Sequence, residues 1–243
     1  MRLRAVAAVA AVASACATAM APAHTAAATP ASTAQTVRTI TLDHVPVRLG
    51  ASTAQIVTVL HTTGWHARVG LWVHRNGHWR RVLDSSNGRT GYGGLVAAAK
   101  RRQGTGSTPL GTFGLISSFG TQPRQAGWKL GYRRIRKGDF WVEDNTSRFY
   151  NRYRNQSQGG FHWRLPTSAP NGSERLSDYP VQYEYAVVTS FNRDQVRHRG
   201  AGIFLHVNGS GATGGCISVP RKMMRAIMNR LDPAKHPVIA VAR

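Results

Sequence analysis

The sequence predicts a mostly β domain, a β-rich α+β sandwich or barrel, with one amphipathic helix near the C-terminus. Three observations support this fold class. An Asn76-Gly77 pair separates two short apolar runs, which is the strongest short signal for a β-hairpin. Apolar and aromatic residues alternate with polar ones at 181–189, the period of a half-buried strand. The stretch 220–231 places its apolar residues at helical spacing, with Pro220 in the first turn.

The remaining elements follow in chain order. β-branched and apolar runs predict strands at 55–60 and 69–73, and glycines with polar turn residues predict turns over 84–94. The glycine-rich run 104–111 lacks the Gly-Lys-Ser/Thr ending of a phosphate loop. It is interpreted as a surface loop that leads into a strand at 112–116. The run 237–242 predicts the last strand.

The N-terminus has the pattern of a secretory signal peptide. Arg2 and Arg4 precede a short apolar, alanine-rich run that ends in small-residue cleavage sites. We therefore expect a signal peptide at 1–23, a disordered leader at 24–38 and a single domain at 39–243. The apolar run is too short to span a bilayer, so no transmembrane segment is expected and the protein should be secreted to the cell wall.

The chain contains two cysteines, Cys16 and Cys216. Removal of the signal peptide would leave Cys216 without a disulfide partner, and an unpaired thiol in an exported protein is typical of a reactive residue. Residues 13–16 faintly resemble a lipoprotein cleavage box, although Ala13 stands where Leu is usual. Lipid attachment at Cys16 is disfavoured but stays open.

The chain is strongly basic, with 32 Lys and Arg residues against 10 Asp and Glu residues. Such a surface should adhere to polyanions. The basic residues are scattered and form no nucleic-acid-binding motif, so nucleic acid is not expected as a partner. For an exported protein the expected polyanions are anionic wall polymers, and we expect a monomer.

The stretch 202–220 is the candidate functional segment. His206 ends a short apolar strand, a glycine-rich connector follows, and Cys216 comes directly after Gly214 and Gly215. A nucleophilic cysteine needs a base beside it and backbone N–H groups that receive an oxyanion. A catalytic pair and a structural, buried thiol both fit this spacing. The adjacent acids Glu143 and Asp144 are interpreted as a structural turn or as counter-charges for arginines.

Several segments together resemble the L,D-transpeptidase catalytic domain (YkuD-like). The family pattern is a strand-end histidine followed by Ser/Thr-x-Gly-Cys and an apolar residue, which here are His206, Thr213, Gly215, Cys216 and Ile217. One branch of the family also has a Gly-x-Gly-x-Thr-Pro-x-Gly loop, a Trp-Val-x-Asp segment and a Ser-x-x-Tyr-Asn segment. Their counterparts are residues 104–111, 141–144 and 147–151, and the resemblance covers roughly residue 88 to the C-terminus.

The resemblance implies acyl transfer on peptidoglycan stem peptides with no metal and no organic cofactor. Cys216 would form the acyl-enzyme and release D-alanine, and His206 would hold the thiolate and move the proton. The N–H groups of Gly214, Gly215 and Cys216, beside Thr213, would be the candidates for the oxyanion site. Transfer to an amine would give a 3→3 cross-link. Many members carry Arg two residues after the cysteine, where this chain has Ser218; Ser218, Thr108 and Gly111 are candidates for the substrate loop.

Two alternatives remain. A wall-peptide carboxypeptidase or hydrolase would use the same pair with water as the acceptor. A non-catalytic wall-binding module would leave Cys216 inert. The reactivity of the thiol separates the enzymes from the binding module.

Overall fold

The computed structural model describes residues 37–243, so the predictions of a signal peptide at 1–23 and of Cys16 lipidation lie outside the described residues, as does the leader up to residue 36. Within 37–243 the protein is mostly β, as predicted. The elements are β1 Arg38–Leu42, β2 Val45–Leu49, β3 Gln55–His61, β4 His66–Arg75, β5 His78–Arg89, β6 Leu95–Ala97, β7 Thr108–Gly120, β8 Tyr132–Arg134, β9 Asp139–Trp141, β10 Tyr153–Asn155, β11 Glu174–Arg175, β12 Ala186–Thr189, β13 Phe204–Val207, β14 Ile217–Val219, α1 Arg221–Met228 and β15 Val238–Ala242.

Eight strands close into a mixed barrel. The order of neighbours is β12, β13, β14, β5, β4, β3, β15 and β7, and β7 pairs with β12 to complete the ring. The pairs β13–β14 and β15–β3 are parallel, whereas the others in the ring are antiparallel. Closure removes the exposed sheet edges that would otherwise invite pairing with another chain. Strands β9, β10 and β11 form a separate small sheet, and β1 and β2 form a hairpin.

The main core fills the barrel with aliphatic side chains. Alternate residues of the central strands, among them Leu71, Leu205 and Ile217, are almost fully buried there. A second cluster lies on the outer face of β13 and is mostly aromatic: Phe119, Trp141, Tyr183 and Phe204. Because side chains alternate along a strand, one strand can contribute to both clusters. The second cluster therefore packs against the outer face of β13, outside the barrel.

The hairpin predicted at Asn76-Gly77 is confirmed. It joins β4 to β5, and its two central residues have φ values of 49° and 79°, as a two-residue turn of the type I′ class requires. Strand β5 runs on to Arg89, through residues that were predicted as turns. Gly88 allows this, because a Cβ there would lie 2.8 Å from the carbonyl oxygen of Ala67, at an irregularity of the β4–β5 register.

The strand predicted at 181–189 is wrong in its first half. Only Ala186–Thr189 pair as a strand, and Gln182–Glu184 form a 3₁₀ turn. Tertiary contacts outweigh the local alternation here. The ring of Tyr183 is buried and its hydroxyl donates to Glu174, while Glu184 forms an ion pair with Arg221.

The predicted amphipathic helix is present as α1, and it begins directly after Pro220. Its buried face consists of Met223, Met224, Ile227 and Met228, which pack into the barrel core. The helix is one turn shorter than the predicted 220–231. No helix in the described part of the chain is long and apolar enough to cross a membrane.

Candidate active site

Parallel pairing of β13 with β14 brings His206 and Cys216 to one face of the barrel. Leu205 pairs with Ile217, and both side chains enter the barrel core. The residues one position away, His206 and Cys216, therefore face outwards, towards the aromatic cluster. Both line a single cleft of about 320 Å³. His206 and Cys216 are close in the sequence, and the pairing of β13 with β14 places both on the same face of the sheet.

The sulfur of Cys216 is held by backbone groups. The N–H of Phe204 donates to Sγ at 3.3 Å, and the thiol donates to the carbonyl of Gly202 at 3.1 Å. Only 8% of the residue's surface is exposed. The thiol proton therefore points to a main-chain carbonyl and not to His206.

Hydroxyl groups fix the backbone on both sides of the bond between Gly215 and Cys216. Thr213 Oγ1 donates to the carbonyl of Cys216 at 2.6 Å, and Thr108 Oγ1 donates to that of Gly215 at 2.8 Å. Thr108 also accepts from the N–H of Gly91 at 2.8 Å. The Thr-Pro segment is therefore not a surface loop at Thr108, which is fully buried at the start of β7.

Gly215 is required at its position for two reasons. Its φ of 128° is one that side-chain-bearing residues rarely adopt, and a Cβ there would lie 2.8 Å from the carbonyl oxygen of Ser107 and 2.9 Å from Nη2 of Arg101. The N–H of Gly215 donates to Thr213 Oγ1 at 3.2 Å. Within residues 37–243, the N–H groups of Gly214 and Cys216 have no hydrogen-bond acceptor. These two N–H groups, and not that of Gly215, are free to receive an oxyanion.

His206 is buried, with 6% of its surface exposed, and its tautomer is set by the backbone. Nδ1 donates to the carbonyl of Val207 at 2.8 Å, which leaves Nε2 as the nitrogen that can accept a proton. The ring packs edge-on against Tyr183, with centroids 5.5 Å apart. An imidazole held in this way can act as a base from a fixed direction.

Burial keeps the pair neutral in the ligand-free protein. It raises the pKa of the Cys216 thiol well above its ordinary range, and nearby Glu174 raises it further. Burial lowers the pKa of His206 to about 4. The ligand-free state therefore favours a neutral pair over an ion pair of imidazolium and thiolate, because both groups disfavour their charged forms.

Two carboxyl groups form part of the cleft wall, Glu143 and Glu174. The pKa of each is raised, chiefly by burial, and Glu143 is raised further by the charge of Glu174. The charge of Arg101 lowers the pKa of Glu143 against these effects, so Glu143 does lie near an arginine, but in the cleft wall. Its neighbour Asp144 does form a turn, accepting from Thr146 and from the N–H of His162.

The other predicted substrate-loop residues lie away from the cleft lining. Ser218 is fully buried, and its hydroxyl donates to Asn208 Oδ1 at 2.7 Å. Gly111 is a strand residue of β7 that pairs with Val241. Neither residue lines the cleft that contains Cys216 and His206.

Sequence reasoning missed most of the cleft wall, which comes from several segments that are separate in the sequence. Its missed members include Tyr92, Arg101, Gln103, Glu174 and Tyr183. Their spacing carries no signal, since only the folded chain brings them together. Within the described residues, no three His, Cys, Asp or Glu side chains cluster as metal ligands would.

The comparison with protein families identifies one family. The model of the L,D-transpeptidase catalytic domain family (YkuD) matches residues 67–239. No curated protein matches the sequence. Among solved structures, the helical cell shape determining protein Pgp2 from Campylobacter jejuni is 14% identical with a TM-score of 0.43, over 78% of this chain and 47% of that one.

Two further structures share the same general likeness. An L,D-transpeptidase from Xylanimonas cellulosilytica is 14% identical with a TM-score of 0.35, over 79% of this chain and 62% of that one. An L,D-transpeptidase from Mycobacterium smegmatis is 12% identical with a TM-score of 0.35, over 84% and 66%. The chain thus spans about half the length of the Campylobacter protein. The family model covers well over half of the chain, including both His206 and Cys216, and the protein belongs to the L,D-transpeptidase catalytic domain family.

Proposed function

We propose that this protein is an exported peptidoglycan L,D-transpeptidase with Cys216 as nucleophile and His206 as general base. The observation that carries the proposal is the common face of β13 and β14. It holds a thiol, an imidazole with a free Nε2 and two unbonded N–H groups within one cleft. Family membership supports the same chemistry.

The first half of the reaction forms a thioester. Sγ of Cys216 attacks the carbonyl that joins the L-centre of a diamino acid to the terminal D-alanine, and the thiol proton moves to Nε2 of His206. The negative oxygen of the tetrahedral intermediate accepts from the N–H groups of Gly214 and Cys216. Collapse breaks the C–N bond, and the imidazolium returns its proton to the amine of the departing D-alanine.

The second half releases the product. The amine of a neighbouring stem attacks the thioester, its proton passes to His206, and the thiol leaves with that proton. The product is a 3→3 cross-link. Water in place of the amine would give the carboxypeptidase outcome, so the acceptor decides between the two enzymes.

The neutral resting pair fits this scheme. A buried thiol gives up its proton only as its sulfur bonds to carbon, and a neutral imidazole is the form that can take the proton. Substrate binding also excludes water from the cleft, which strengthens the hydrogen bonds to the oxyanion.

A tetrapeptide stem and intact-protein mass spectrometry test this proposal. The wild-type chain should release D-alanine and gain the mass of the acylated tripeptide, and Cys216→Ala should do neither. Cys16→Ala is the matched control and should behave as the wild type. The family resemblance also implies a carbapenem adduct that Cys216→Ala lacks.

The outcomes are distinct. D-alanine release by a folded Cys216→Ala protein would overturn the mechanism. Adduct and release in the wild type without cross-linked product would assign the carboxypeptidase. Neither adduct nor release in the wild type would assign a wall-binding module with an inert thiol.

A further inference from the structure

Arg101 is a buried cation in the wall of the cleft. Only 4% of the residue's surface is exposed, yet it belongs to the lining that also contains Cys216 and Glu143. Burying a guanidinium is costly unless hydrogen bonds and a counter-charge compensate it. In the described part of the chain no carboxylate forms an ion pair with Arg101. Glu143 is close enough to raise the pKa of Arg101, but it does not contact the guanidinium as an ion-pair partner.

The backbone fixes two of the three guanidinium nitrogens. Nε donates to the carbonyl of Ser107 at 2.8 Å and Nη1 to that of Arg199 at 3.2 Å, while the group lies 5.4 Å from the ring centroid of Phe191. Nη2 has no hydrogen-bond acceptor within residues 37–243. A rigidly held guanidinium with one free nitrogen is suited to binding an anion.

The free nitrogen lies beside Gly215, the residue that precedes the nucleophile. A Cβ on Gly215, the residue before Cys216, would lie 2.9 Å from Nη2. The charge of Arg101 also lowers the pKa of the Cys216 thiol, against the larger effect of burial. In a stem peptide that ends in D-alanine, the terminal carboxylate carbon is three bonds from the scissile carbonyl carbon, about 3–4 Å away. A carboxylate at this distance from a carbonyl carbon at Sγ can reach a donor that lies beside Gly215.

We propose that Arg101 is the residue of this cleft that recognises the terminal carboxylate of the leaving D-amino acid. Nη2 donates to one carboxylate oxygen, and the carboxylate becomes a directly bonded counter-charge of the buried guanidinium. This assignment rests on the proposed function. It makes a free carboxylate, and not an amide, the required end of the donor peptide.

A first experiment probes the site without relying on turnover. Iodoacetate carries a carboxylate next to its reacting carbon, and iodoacetamide is its neutral counterpart. Alkylation of Cys216 by both reagents is measured in chains that carry Cys16→Ala. Arg101→Gln should lower the ratio of the iodoacetate rate to the iodoacetamide rate by about tenfold, the usual effect of losing a hydrogen bond to a charged group.

Arg102→Gln is the matched control. It removes the same charge from the adjacent residue, which is exposed and donates only to main-chain carbonyls of its own segment. Its ratio should equal that of the parent. Equal ratios in the Arg101 and Arg102 variants would overturn the proposal, because the effect would then come from the net charge of the protein and not from a site at Arg101.

A lysine variant covers the case in which Arg101→Gln does not fold. Arg101→Lys keeps the charge but cannot bond both carbonyls and an anion at once. It should lower the ratio by about threefold or more. An unchanged ratio would show that the charge alone matters and that Nη2 binds nothing.

A second experiment uses tetrapeptide stems that end in D-alanine or in D-alaninamide. The wild type should prefer the acid by about tenfold or more in kcat/KM, and Arg101→Gln should lose this preference mainly through KM. Equal turnover of both peptides by the wild type would overturn the role of Arg101 and leave the proposed function intact. No turnover of either, with an Arg101-dependent iodoacetate preference, would leave a carboxylate site and overturn the transpeptidase.

Discussion

Burial sets the protonation state of His206, and protonation decides what the residue can do. Its environment excludes water, and its one fixed hydrogen bond, from Nδ1 to the carbonyl of Val207, can form in the neutral ring. A histidine that is neutral at physiological pH is a base and not a cation that stabilises a thiolate. The environment of His206 thus distinguishes a general base from a cation that stabilises a thiolate, whereas the spacing of His206 and Cys216 is compatible with both roles.

The pH profile of kcat/KM should report this state. A general base works only above its own pKa, so activity that depends on neutral His206 is lost as the pH falls through about 4. A histidine with an ordinary pKa would lose its activity as a base near pH 6.5 instead. Rates on a tetrapeptide stem between pH 3.5 and 8 locate the acid limb, and a limb at 6.5 would contradict the buried, neutral imidazole.

Removal of the imidazole gives an independent check. His206→Ala should cut turnover by roughly 10² to 10⁴, the usual cost of losing a general base. The pH dependence of alkylation of Cys216 should stay where it is in the wild type, because no imidazolium stabilises the thiolate. An alkylation profile displaced to higher pH in the variant would instead indicate an ion pair.

At the scale of elements, the site depends on the close contact of three backbone segments. Gly91, Gly106 and Gly215 approach each other so tightly that side chains do not fit between them. Thr108 links two of these segments through its hydroxyl group. Gly106 of the 104–111 run thus has a packing role next to the nucleophile.

Gly91→Ala tests this contact. A Cβ at Gly91 would lie 2.0 Å from the carbonyl oxygen of Gly106 and 2.8 Å from Cα of Gly215, and backbone has to move to relieve it. We expect a loss of about 1–3 kcal/mol in the free energy of unfolding, measured with urea, together with reduced acylation of Cys216. Gly127→Ala, where a Cβ would meet nothing within 4 Å, should keep both values. Equal stability of the two variants would mean that the 91–106 contact is looser than it is here.

At the scale of the whole molecule, the main feature is the large excess of positive charge. Arg2 and Arg4 are the only charged residues before Val37, so residues 37–243 keep 30 basic and 10 acidic side chains, a formal charge of +20. The seven ion pairs within this part involve few of the basic residues. Most of the positive charge is therefore available to a polyanionic surface.

Binding to isolated cell walls should fall with ionic strength. Residues 37–243 should be retained at about 10 mM salt and released by about 0.5 M, since screening shortens the range of the attraction. Co-sedimentation with walls across a salt series measures this. Retention at the highest salt would point to a specific wall-binding pocket in place of diffuse charge.

The sequence by itself determined the elements whose signals are local. The Asn76-Gly77 hairpin needs only two residues that accept positive φ, and α1 needs only an apolar stripe at helical spacing. The family was identified in the same way, because His206, Thr213, Gly215 and Cys216 lie within one short segment. These features can be predicted from the sequence because each depends on residues that are close together in the chain.

Only the tertiary structure decided the barrel closure, the cleft wall and the charge state of the pair. Tyr183 leaves the strand predicted for it because its ring and hydroxyl find partners in His206 and Glu174. Arg101 and Glu143 meet Cys216 from segments far apart in sequence. Burial then shifts the pKa of the thiol and of the imidazole in directions that no spacing reveals, since desolvation depends on what the whole fold places around a group.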